Sequence, residues 1–134
     1  MSRFYLIKNE ETINKINCAL PSFNQESSKN TKLVITTFIN NHSGFNKETG
    51  LAEYELGNNF GLCALGLNNA YFILALKNRG LDSLIMGIRN EELLRTICNI
   101  PTSETIVSII AACYSELEPI RPKKKNASDI TKIL

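Results

Sequence analysis

The alternation of strand-like and helix-like segments along this 134-residue chain predicts one α+β layered domain, a sheet flanked by helices. Three observations carry that prediction. Two β-branched runs, KLVITTFI and ETIVSIIAACY, read as strands. Two segments that open on an asparagine and paired glutamates place their apolar residues at helical spacing. Between them lies a long uncharged stretch that reads as a central helix. The predicted order is strand, helix, strand, long loop, buried helix, strand, helix, strand, tail. Residues 1–134 form a single domain, and 116–134 its extended basic tail.

The first strand is RFYLI, aromatic and β-branched. Asn9 then offers an N-cap, and Glu10 and Glu11 stand in the first turn, where the helix dipole favours acid. Ile13, Ile16 and Leu20 recur on one helical face, Glu11 pairs with Lys15 a turn later, and Pro21 closes the helix. Residues 21–31, rich in Ser, Asn, Gln and Lys, read as a loop. KLVITTFI is the next strand. NNHSGFNKETG follows as a polar loop, either a binding lid or simply a solvated connection.

Apolar residues then run almost unbroken. Leu62, Leu65, Phe72, Ile73 and Leu76 share one face, with Ala64, Leu67, Tyr71 and Leu74 on others. A helix apolar on most sides is expected to be covered on more than one. Lys77 and Arg79 suit its C-terminal end, and Gly80 suits the left-handed position beyond it. SLIMGI reads as a buried strand. Asn90 caps the next helix, with Glu91 and Glu92 in its first turn and Leu93, Leu94 and Ile97 facing inward. ETIVSIIAACY is the final strand.

Hydrophobic residues make up 43% and charged residues 21%, so the chain is globular rather than disordered. A net charge of +2 singles out no partner, although Arg121, Lys123, Lys124 and Lys125 form a local cluster suited to an anion. That cluster has no basic face or aromatic interleaving beside it, so no nucleic-acid partner is expected. The four cysteines, Cys18, Cys63, Cys98 and Cys113, show no CxxC pairing and His42 is the lone histidine, so no metal site is expected. They read as buried, reduced thiols of a cytoplasmic protein. Residues 56–76 are long and uncharged enough to span a bilayer, yet they carry four asparagines. Buried amides in hydrocarbon are costly, so the segment reads as a helix of a soluble protein, with no membrane partner.

The stretch GLDSLIMGIRNEELLRTICNIP, residues 80–101, concentrates the functional question. A strand running into Met86-Gly87 and turning at once into a helix suits a bound ligand. It suits equally a plain turn of an α/β domain.

Taken in order, RGLDS, LIMG, LLRTICNIP, IVSIIAACY and EPIRPKKKNASDI resemble the C-terminal half of the nitroreductase family of flavin enzymes. SRFYLI and KLVITTF resemble, more loosely, two of its earlier strands. The resemblance spans nearly the whole chain and implies a mixed, largely antiparallel sheet flanked by helices. It implies an intertwined homodimer with FMN at the interface, passing hydride from NAD(P)H to a quinone or nitroaromatic acceptor. Gly87 would then present its backbone N–H to the hydride-accepting flavin nitrogen, with Ile85 and Met86 lining the ring beside it. Lys124, flanked by Lys123 and Lys125, would hold the FMN phosphate. The family needs no side-chain acid or base of fixed position, so no catalytic residue is expected. Its Arg-rich N-terminal segment and first flavin loop precede the part resembled, so the chain is expected to be either an N-terminally truncated form or a shortened natural member that has lost part of its flavin site. The alternative expectation is a non-catalytic dimeric module that binds FMN weakly or not at all.

Overall fold

The computed structural model of the chain describes residues 1–118, 120 and 122–134; Arg121 of the basic cluster lies outside the described residues. Strand β1 (Ser2–Ile7) leads into helix α1 (Glu10–Asn17). Helix α2 (Ser22–Ser27) and strand β2 (Lys32–Ile39) follow, then the long helix α3 (Asn58–Lys77). Strand β3 (Asp82–Met86), helix α4 (Glu91–Cys98), strand β4 (Glu104–Cys113) and the short helix α5 (Ala127–Ile130) complete the chain. The sheet order is β1-β2-β4-β3, and all three pairings are antiparallel. The α+β class therefore holds. The parallel pairing implied by a mixed sheet is absent among the described residues.

The two strand faces divide the domain into layers. Tyr5, Ile7, Leu33, Ile35, Met86, Ile106, Ile109 and Ala111 face α1 and α4 and pack with Ile13, Ile16, Leu94 and Ile100. The helices reach this layer through the caps the sequence announces. Asn9 accepts from Thr12 N–H at 3.0 Å, and Asn90 accepts from Leu93 N–H at 3.1 Å. Within α4, Leu94 is fully buried and Ile97 packs beside it, but Leu93, rotated about 100° from Leu94, is exposed.

On the opposite face α3 lies across the strands. Its contact is close because Gly61 has no side chain; a Cβ there would stand 2.6 Å from the Phe38 ring. Asn69 donates to Thr36 Oγ1 at 3.3 Å and to Ser108 Oγ at 3.2 Å, a buried polar tie between helix and sheet. The helix ends as expected, with Gly80 at φ +77° and Leu81 N–H bonded back to Leu76 O.

Several expectations are corrected. Residues 21–31 are not all loop: the Pro21 carbonyl accepts from the N–H groups of Asn24 and Gln25, so the proline that ends α1 also opens α2. The central helix is not covered all round. Only Gly61, Leu65 and Asn69 are buried, whereas Leu67, Tyr71 and Leu74 are 62%, 73% and 64% exposed. SLIMGI is not a fully buried strand; β3 stops at Met86 and lies at the sheet edge, with Leu84 and Ile85 exposed. The thiols are free, but Cys18 and Cys63 are exposed and Cys98 and Cys113 only half-buried.

Candidate functional site

Antiparallel pairing gathers one set of strand ends. Met86 pairs with Ile109 at the last rung of β3, while β4 begins nearby at Glu104 and β2 ends at Ile39. The corner at Gly87 therefore stands at this end of the sheet. The Asn9- and Asn90-capped helices close the adjoining layer, where Asn90 N–H bonds Ala19 O at 2.7 Å.

Gly87 is exposed, its φ lies outside the left-handed region, and an added Cβ would meet nothing within 4 Å. Neither packing nor backbone conformation within the chain demands a glycine here. What it leaves open is approach from outside, which suits a flat ring laid against the backbone. Ile85 fits the same purpose. It points to the α3 side of the sheet and is 46% exposed, an apolar surface next to the corner. Strand alternation turns the Met86 side chain the other way, into the core, where it is 2% exposed, so the structure does not bring it to the surface beside Ile85.

Lys123, Lys124 and Lys125 are exposed on the tail that leaves β4 after Cys113. As point charges they suit a phosphate. Because β3 and β4 run antiparallel, Cys113 pairs with Asp82 at the end of β3 far from Gly87. Four rungs separate the two ends, about 13 Å of strand. The sheet thus does not bring the lysines beside the glycine.

Two features escaped the sequence reading. Arg89 folds back under the corner, donating through Nη1 to Gly87 O and Val107 O and through Nη2 to Ile106 O, with Glu91 as its ion-pair partner at 3.4 Å. Burial lowers its affinity for the proton, partly countered by Glu91. Glu104 is the second. It is 4% exposed, accepts from Tyr5 Oη at 2.8 Å and from Thr37 Oγ1, and pairs with Arg3 at 3.1 Å. A charged residue opening a β-branched strand reads as solvent-facing, and only the neighbouring strands supply its donors.

No family model and no curated protein matches this chain. Solved structures do. A nitroreductase-like protein from Streptococcus mutans superposes with a TM-score of 0.80 at 14% identity, covering 99% of this chain and 76% of its own. A nitroreductase family protein from Streptococcus pneumoniae gives 0.76 at 13% identity, over 98% and 78%. An FMN-dependent nitroreductase from Clostridium difficile gives 0.61 at 18% identity, over 96% and 69%. At such identities the likeness is one of architecture, and it agrees with the order of motifs from RGLDS to the basic tail: this chain has the nitroreductase fold.

Proposed function

We propose that the chain is an FMN-dependent NAD(P)H oxidoreductase of nitroreductase type, acting as a cytoplasmic homodimer. The observation that carries this reading is Gly87, an exposed glycine at a strand-to-helix corner that nothing within the chain requires to be glycine. Its backbone N–H would meet the ring edge, Ile85 would cover part of the ring face, and one or more of Lys123, Lys124 and Lys125 would neutralise the phosphate. FMN, when bound, supplies the hydride chemistry between NAD(P)H and a quinone or nitroaromatic acceptor. The protein's own part is orientation, apolar contact and charge. No side chain is assigned a proton-transfer step.

The homodimer is supported by α3. Leu67, Tyr71 and Leu74, at i, i+4 and i+7, form one exposed apolar stripe, with Phe60 a further two turns back. A second copy presenting the same stripe covers both by two-fold symmetry. The helix is long and apolar enough to cross a membrane by length and composition. Its buried Asn69, bonded to the sheet, supports the soluble reading instead.

Titration of the purified chain with FMN, followed by quenching of flavin fluorescence, tests the proposal. Saturable binding is expected, weakened about tenfold by Lys124→Ala, the cost of one charge-assisted contact. Gly87→Leu, which fills the approach to the corner, is expected to abolish it. Absence of binding by the folded chain would leave the second reading, a dimeric module without its cofactor, which the inward-facing Met86 favours.

A further inference from the structure

We propose that Arg89 is a positioning residue for the Gly87 corner, a clamp that ties the glycine to a bulge in β4 and holds it rigid. This rests on the reading of Gly87 as the contact point for the flavin ring. The corner poses a mechanical problem. An exposed glycine with no neighbour within 4 Å of its missing side chain has nothing of its own to stop it from swinging. A backbone N–H that must meet one ring atom is useful only if its direction is settled beforehand, since ordering it on binding subtracts from affinity.

The sheet supplies half of the answer. Met86 is fixed by its pairing with Ile109 and by its side chain in the core. Beyond that rung β3 peels away. Had it continued, the residues after Met86 would run opposite Ser108, Val107 and Ile106. Val107 is also the unpaired residue of a bulge. On the β2 side Thr36 pairs with Ser108 and Thr37 with Ile106, so the register skips it. The carbonyls of Ile106 and Val107 thus face the place that β3 has vacated.

Arg89 fills that place with its guanidinium. Nη1 donates to Val107 O at 3.2 Å and also to Gly87 O, while Nη2 donates to Ile106 O. One planar fork therefore substitutes for the missing strand and holds the carbonyl side of Gly87, while Met86 holds the amide side. The side chain is only 13% exposed, so little water competes for these bonds. The bulge thus has a purpose. It turns a carbonyl out of the β2–β4 ladder for the arginine to grasp, and the corner can leave the sheet without becoming loose.

Amide nitrogen relaxation on the full chain without ligand tests the clamp directly. In the native sequence the order parameters of Gly87 and Ile88 are expected near the rigid value of about 0.85. In Arg89→Gln they should fall below about 0.6, while Leu33, Ile35 and Ile109 stay rigid. Arg89→Lys keeps the charge without the fork, so it should loosen the corner nearly as much and guards against a glutamine variant that fails to fold. FMN affinity should drop about tenfold in both variants. Unchanged order parameters at 87 and 88, or loosening spread evenly over the sheet, would overturn the clamp. A loosened corner with undiminished FMN affinity would overturn its role in positioning. If the native chain binds no FMN, the flavin reading fails, and the relaxation measurement still decides whether Arg89 holds the corner.

Discussion

Replacing Leu67 by glutamate tests the α3 stripe as a dimer contact. Full burial of a leucine stabilises by about 1.5–3 kcal/mol. Leu67 and Leu74 retain 62% and 64% of their exposure in the single chain. Covering each therefore gains about 1–2 kcal/mol, and Tyr71, 73% exposed, gains a similar amount. Three side chains on each of two copies give on the order of 6–12 kcal/mol, set against an association cost of about 4–15 kcal/mol. The balance is close, so a single position decides it. Leu67→Glu removes about 1–2 kcal/mol per copy and adds the burden of two carboxylates in an apolar seam. The dimer dissociation constant should rise at least about 30-fold. Sedimentation equilibrium reads this directly, because the 15.0 kDa chain should run at twice that mass and the variant at the monomer mass. A variant that associates as tightly as the native chain, or a native chain that is monomeric throughout, would refute the reasoning.

Glu104→Ala strips the acceptor from Tyr5 and Thr37, while Arg3, 51% exposed, stays solvated; urea unfolding should show a loss of about 2–4 kcal/mol. A loss below about 1 kcal/mol would mean that the network is not held as described. Burial, reinforced by its bond to Glu104, raises the Tyr5 phenol above the ordinary tyrosine value of 10.0. The folded state thus holds this proton more tightly than the unfolded one. The resulting stabilisation is present below pH 10, is lost as pH climbs through the raised value, and should be missing from Tyr5→Phe in unfolding curves at alkaline pH. Burial likewise raises the Cys98 thiol, whereas Cys18 is exposed. Timed alkylation followed by mass spectrometry should therefore modify Cys18 well before Cys98.

Local signals in the sequence were enough for the elements whose ends are written in short-range chemistry. The Asn9 and Asn90 caps, the Glu11–Lys15 pair at 2.6 Å and the left-handed Gly80 appear where the residues place them. The strands KLVITTFI and ETIVSIIAACY are likewise legible, because β-branched runs need only their own composition to be recognised. The order of these elements was sufficient to suggest the nitroreductase fold. Helix α2 was missed because its start depends on Pro21 carbonyl bonds inside a stretch that composition assigns to loop.

Tertiary structure decided what periodicity cannot. An apolar helix reads the same whether one face or all faces are covered; only its placement on the sheet shows that α3 buries Gly61, Leu65 and Asn69 and leaves Leu67, Tyr71 and Leu74 bare. Adjacent residues in a strand face opposite layers, and which layer is the core is a property of the packing. That is why Ile85 stayed at the surface beside the corner and Met86 did not. Arg89 and Glu104 look like ordinary surface charges in the sequence. Their partners, Ile106, Val107, Tyr5 and Thr37, come from other strands, so the bonds exist only once antiparallel pairing has set the strands side by side.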